Sequence, residues 1–472
     1  MPQFLLRFWD RRRPECLITA SGVNLLLIFI YLGMRRDLLH PIWVYLTLSV
    51  AAFGFYLYAG RIILRTRRPS RAMAWIVLGF AVVFRLVLVH AVPSLSTDMY
   101  RYVWDGRLIN HDINPYRWTP WDPRLASLRD STIWGPMEYK AYQTVYMPVS
   151  QLFFALCNRI FGNDLNGYKL VFTLFDIGVV GLIAAILRRL GRSPAGAIWY
   201  AWCPLPIIEV SLAGHLDVTG SFFLVLAIYL LLIGRQRWAA ISLGAAGLTK
   251  GFALLLMPLF VRLCGRRLLA VMGLTLLYLG LPLWVYLPMF LHGMQQYLGT
   301  VHVNSGLFAL IDEMLSLVTK SHFALASRLT DAIILSAVGW SIWTKPVGVM
   351  DVVRRSIVVL AVCLLIVPTL FPWYLVWVLP LVAIYRPTPS TAFLCLVGMV
   401  NLVYVYYVAD AVYWWLPVIE YTPVYALLAW EMRRGYWRCA DLEDGSCADS
   451  VMDSTVAALD APSPRPAGVE AT

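Results

Sequence analysis

The strongest constraint on this chain is a succession of apolar runs, most close to the length of one membrane crossing, divided by short arginine clusters. A helix needs about 20 residues to cross roughly 30 Å of hydrocarbon. Candidate spans fall near 17–33, 42–60, 72–92, 166–188, 195–212, 218–234, 238–250, 251–264, 268–287, 329–344, 354–370, 373–385, 391–408 and 417–430. The chain is 60% hydrophobic and only 14% charged, whereas a soluble domain carries about a quarter charged residues. No single water-soluble core could bury that much apolar surface, so lipid is the main solvent. The expected fold class is therefore all-α, a polytopic integral membrane protein of about 12–14 transmembrane helices. The runs at 238–250, 251–264 and 373–385 are too short to cross alone. They are expected to be helices that stop part-way and line a cavity, because lipid cannot satisfy an open helix end.

The net charge of +12 raises the question of nucleic acid. Its placement answers it: the basic residues sit between apolar runs, as the positive-inside rule requires. Arg61, Arg65, Arg67, Arg68 and Arg71 mark one cytoplasmic connection, and Arg188, Arg189 and Arg192 another. Further clusters at 235–237, 266–267, 354–355 and 433–434 fall on the same side if the N-terminus is cytoplasmic and 146–161 lies in the interface. The first apolar run lacks a small-residue cleavage site and reads as a retained span, not a signal peptide. Eight cysteines show no metal-ligand or redox spacing. The expected organisation is a basic segment with two leading spans over 1–71, a main transmembrane domain over 72–431, and an acidic tail over 432–472 that is polar and unstructured. Two long loops, 93–165 and 288–328, emerge on the side opposite the arginines. Connectors are usually a few residues, so loops this long and aromatic point to function.

The first of these loops opens on Ser96-Thr97-Asp98. If 97–109 is helical, Asp98, Arg101, Tyr102 and Asp105 share one face at i, i+3, i+4 and i+7. Two carboxylates flanking an arginine could activate a hydroxyl and hold a polar substrate, or Asp98 could simply cap the helix. Asn114, Tyr116, Glu138 and Tyr146 follow; their aromatic members suit either interfacial anchoring or stacking on sugar rings. His215 and Asp217 stand at the outer end of a span, where ionisable residues suggest a site, but no third ligand completes a metal set. Lys250 lies where two half-length runs turn back. Facing lipid it would cost about 3 kcal/mol, so it needs an anionic partner, such as a bound phosphate, or must snorkel to the interface. His302 and Asn304 in the second loop, and Trp373 and Tyr374 at another outward turn, complete the polar set. Arg85, inside the run 72–92, has no role in this reading.

Taken in order, Asp98-Met-Tyr-Arg-Tyr-Val-Trp-Asp105-Gly, Asn114-Pro-Tyr116, Tyr146-Met-Pro148, Gly214-His215-Leu-Asp217, Leu248-Thr-Lys250-Gly and Pro372-Trp-Tyr374 resemble the glycosyltransferase C superfamily. The likeness is to its bacterial members that use polyprenyl-phosphate hexose donors, and spans roughly residues 72–385. It departs from them in having two spans before the one leading to Asp98, and Met147-Pro148 where relatives often carry paired prolines. The resemblance implies interfacial helices in the first outer loop, and transfer of a hexose, with mannose the expected sugar, to a lipid or glycan acceptor. Asp98 would be the general base of an inverting displacement. Lys250, helped by Arg101 or His215, would stabilise the departing lipid phosphate. Tyr102, Asp105, Asn114, Tyr116, Glu138, Tyr146, Asp217, His302, Asn304, Trp373 and Tyr374 would contact substrate. No cofactor or metal is implied. The implied partners are the polyprenyl-phosphate donor, the acceptor and membrane lipids, not nucleic acid. The implied location is the inner (plasma) membrane, with the site facing the periplasm or exterior. The competing reading is a transporter or flippase of lipid-linked sugars, which would place its ionisable groups near mid-membrane and show repeat symmetry.

Overall fold

The computed structural model describes residues 3–300, 304–400 and 416–437; His302, part of the expected span 391–408 and the chain beyond 437 lie outside them. Every described element is helical. Among the described residues five helices are long and apolar enough to cross a membrane: Arg13–Met34, Ile42–Arg65, Leu165–Arg189, Arg267–Trp284 and His322–Trp343. The run expected as one span at 195–212 is instead two pieces, Pro194–Ala201 and Pro204–Leu212, bent by 59°. The cause is local: Pro204 pushes Cys203 out of helical geometry (φ −59°, ψ 120°). Other segments are shorter, among them Asp217–Leu232, Gly251–Cys264 and Pro372–Tyr385. The runs expected at half length are short helical segments, with Gln236–Gly247 beside the last two. The chain is an all-α polytopic membrane protein.

A break inside a bundle leaves carbonyls that lipid cannot satisfy. Arg85 meets one of them. Its guanidinium donates to Ala201 O at 2.8 Å and to Ala81 O at 3.0 Å, and it pairs with Asp176 at 2.8 Å. The Tyr200 hydroxyl donates to the same Asp176 at 2.7 Å. Two turns earlier on the Leu165–Arg189 helix, Lys169 donates to Leu88 O and Leu212 O, each at 3.3 Å, and to Ala91 O. Thr173 bonds Ser211 at 3.0 Å between them. Lys169, Thr173 and Asp176 form one buried polar stripe at i, i+4 and i+7 on an otherwise apolar helix. Besides Arg85 and Tyr200, its partners are the loop leading to Asp98 and the turn leading to His215.

The leading helices share this core. Tyr56 donates to Trp199 O at 2.9 Å, and Gly60 lets the Trp199 ring sit against the helix backbone. The first long loop, 93–165, holds two α-helices, Asp98–Asn110 and Pro148–Phe161, with a short 3-10 turn, Pro123–Leu128, between them. They touch backbone to backbone, because Gly106 abuts the Phe154 carbonyl where any side chain would collide. The second of them opens onto the turn before Lys250: Val149 N–H donates to Leu248 O at 2.9 Å, and the Ser150 hydroxyl to Thr249 O at 2.7 Å. The first long loop and the Lys250 turn are therefore one unit. The second long loop, 288–328, holds the helices Leu287–Thr300 and Gly306–Ser316.

Candidate active site

Asp98 is the first residue of its helix; Thr97, at the cap position, makes no side-chain bond to it. The carboxylate is left to face a cleft lined by Thr97, Arg101, Glu138, Tyr142, Tyr146 and Tyr297, with its side chain 27% exposed. Burial raises the Asp98 carboxyl above the ordinary carboxylate range, with Asp217 adding to it, while His215, Lys250 and the Tyr146 hydroxyl pull the other way. Burial also raises Glu138, against the pull of a hydrogen bond from Thr97.

Opposite Asp98 stands His215, fully buried, with its Nε2 4.0 Å from Asp98 Oδ2. The loop that carries it turns at Gly214 (φ 82°), where a side chain would run into the Met99 sulfur. Only glycine fits there, and it sets the Asp98 helix directly against the His215 loop. One face of the imidazole stacks on Trp373 at 3.7 Å, and Trp373 stacks in turn on Phe371 at 4.4 Å. Two residues on, Asp217 accepts from Lys250 Nζ at 2.7 Å and from the Trp377 indole at 3.0 Å. Lys250 also lies 3.9 Å over the Tyr374 ring. The anionic partner that Lys250 requires is thus Asp217. An ammonium has three donors, and Lys250 is 23% exposed, so it can still serve a ligand.

Asp98, His215, Asp217, Lys250, Trp373, Tyr374, Tyr146, Glu138 and Arg101 are thereby gathered in one region. Several others hold it from behind. Arg101 pairs with Asp105 at 2.9 Å and donates to Tyr142 O at 3.2 Å, pinning the loop that forms the cleft wall. Asp105 is wholly buried and also accepts from Gln151 at 2.9 Å. Tyr102 is buried, stacked on Phe154 at 4.6 Å and edge-on to Tyr146 at 5.1 Å. Tyr116 donates to Tyr146 O at 2.8 Å. Asn114 donates to Pro282 O at 2.9 Å, tying the loop to the Arg267–Trp284 helix. Asn304 lies apart, its carbonyl accepting from Tyr421 at 3.3 Å.

Glu209 was not singled out by sequence, although an acidic residue inside the apolar run 204–213 is a signal. It sits in a single π-helical turn, Ile207–Leu212, a local widening frequent at functional sites. Its Oε2 and its carbonyl each lie 3.1 Å from His215 Nδ1. Trp377 and Tyr297 also went unselected, because aromatic residues near a membrane surface carry no distinguishing pattern.

No curated protein sequence matches the chain. A family model does: that of the alpha-(1->6)-mannopyranosyltransferase N-terminal domain, which matches residues 15–266, more than half of the molecule. That stretch runs from the first span through Asp98, His215 and Asp217 to Lys250. With this match, the buried and cleft-facing polar groups and the all-helical membrane architecture, the chain belongs to the alpha-(1->6)-mannopyranosyltransferase family, membrane-embedded mannosyltransferases of the glycosyltransferase C type.

Proposed function

We propose that this mannosyltransferase takes mannose from a polyprenyl-phosphate-linked donor and delivers it to a lipid or glycan acceptor on the non-cytoplasmic face of the plasma membrane. One observation carries the reading: a cleft-facing carboxylate, Asp98, and an ammonium, Lys250, belong to one cluster joined through His215 and Asp217. Single displacement needs these two things, a base for the acceptor hydroxyl and a cation for the departing lipid phosphate. In this reading Asp98 takes the acceptor proton as the new bond forms at the anomeric carbon. The bond to phosphate breaks, and the anion leaves against the donors of Lys250 that Asp217 does not hold. Glu138, Tyr146, Trp373 and Tyr374 would line the sugar and acceptor path. Arg101, Asp105, Tyr102, Asn114 and Tyr116 act by holding the loop. The positive-inside distribution supports an outward-facing site. The region 72–431 would form the working domain, with 1–71 as its lead-in and 432–472 as a cytoplasmic tail.

The test uses purified protein, labelled polyprenyl-phosphate mannose and a membrane extract as acceptor source. Label transfer that Asp98→Asn abolishes supports the reading. Movement of the sugar lipid across liposomes, without transfer and indifferent to Asp98→Asn, would replace it with a flippase.

A further inference from the structure

His215 Nδ1 faces two acceptors, the Glu209 carbonyl and the Glu209 carboxylate, each at 3.1 Å. A ring nitrogen between two acceptors carries the hydrogen. In the neutral imidazole, Nε2 therefore presents a lone pair. That atom is buried, has no hydrogen-bond partner, and points at Asp98 Oδ2 across 4.0 Å. Buried polar atoms are nearly always paired, so one left open at the edge of a cleft calls for a role. The gap is too wide for a direct bond. Rotation of the carboxyl or an entering hydroxyl would bridge it, as catalytic contacts tighten once substrate is bound. Phosphate binding does not explain this placement: Nδ1 is taken by Glu209, one ring face is covered by Trp373, and Nε2 aims at an acid.

We propose that His215 is the second station for the proton that Asp98 removes from the acceptor, and that Glu209 is the positioning residue that keeps Nε2 free to receive it. This rests on the reading of Asp98 as the base. The acceptor O–H proton passes to the Asp98 carboxylate as the acceptor oxygen bonds to the sugar and the electron pair of the broken C–O bond leaves with the lipid phosphate. Asp98 then hands that proton to His215 Nε2. The imidazolium is held by its Nδ1–H bond to the Glu209 carbonyl and by the charge of the Glu209 carboxylate 3.1 Å away, and its loss of one proton to water restores the start. No co-reactant is needed. Titratable and charged groups facing the pair are Asp217, Lys250, Glu138, Tyr146 and Tyr102 around Asp98; Tyr45 of the Ile42–Arg65 helix faces Glu209 from behind. None of these bonds Nε2.

The experiment measures kcat, the donor and acceptor KM and the pH profile of the full-length protein in nanodiscs, for Glu209→Gln, His215→Asn and Asp98→Asn. Glu209→Gln keeps the shape but removes the charge that favours imidazolium. It should lower kcat about 30-fold with both KM values unchanged, and move the acid limb of kcat to lower pH. His215→Asn keeps a donor toward Glu209 but has no acceptor at Nε2; it should lower kcat about 100-fold, and it carries the test alone if Glu209→Gln does not accumulate. If both variants keep kcat within about twofold and the limb stays in place while Asp98→Asn is inactive, the second station is refuted and the base assignment stands. If Asp98→Asn itself stays active, the base assignment fails, and the relay with it.

Discussion

Two polar clusters are built into one apolar bundle, and they differ in how completely their atoms are partnered. Around Arg85, Asp176, Tyr200 and Lys169 the charged and hydroxyl groups converge on carbonyls and on each other, sealed from every side. Around Asp98, His215 and Lys250 the same residue types are left incomplete: Nε2 of His215 and Oδ2 of Asp217 have no partner, Asp98 opens to a cleft, and Lys250 stays partly exposed. Low dielectric makes an unpaired group expensive. A bundle that closes one cluster so fully has the means to close the other. The lesson is that an ionisable residue within a membrane protein marks a site when its valences are open, and a clamp when they are filled.

Substitutions in the two clusters should therefore fail in different ways. The largest effect is expected from Asp98→Asn: a loss of transfer of roughly 10³- to 10⁴-fold, read as label transfer, with the thermal transition of the detergent-solubilised protein unchanged. Arg85→Met should do the reverse, lowering stability by about 3–5 kcal/mol because it strands a buried carboxylate, while the folded fraction keeps its turnover. Adding Asp176→Leu should recover part of that loss, and recovery of none would break the view of this cluster as a clamp. Lys250→Met should cost about 100-fold in kcat/KM for the donor. It leaves Asp217 without its ammonium, so a parallel Lys250→Met/Asp217→Asn variant sharpens the assignment: stability returns and transfer does not. At the small end, Arg124→Ala removes an exposed pair with Asp122 and should change neither transition nor turnover measurably.

The helical membrane architecture was legible because hydropathy and length are local properties. The short helices at 238–264 and 373–385 followed from length alone. The break within 195–212 was not drawn, although Pro204 and Pro206 stood in the run, because its hydropathy is continuous across them. Arg85 stayed unexplained because Asp176 is 91 residues away, beyond any spacing argument. The helical spacing of Asp98, Arg101, Tyr102 and Asp105 placed them on one face, and Arg101 and Asp105 do pair at i, i+4. Periodicity says nothing, however, of where along that face the cleft ends. So Asp98 and Arg101 line it while Asp105 and Tyr102 are packed behind. Lys250 was singled out on the energetic cost of its charge, and the structure supplies Asp217 as its counter-ion.

The contact between Met99 and Gly214 sets how wide the site is. Asp98 and His215 stand on two elements that meet there through a sulfur packed against bare backbone, a contact that involves no charge. Such a spacer is indifferent to acidity and salt, so the protein can gain or lose charge on either wall without changing the size of hydroxyl that fits between them. Oxidation of that one thioether to a sulfoxide, bulkier and polar, would spread the walls and leave every acid and base intact but out of reach of each other.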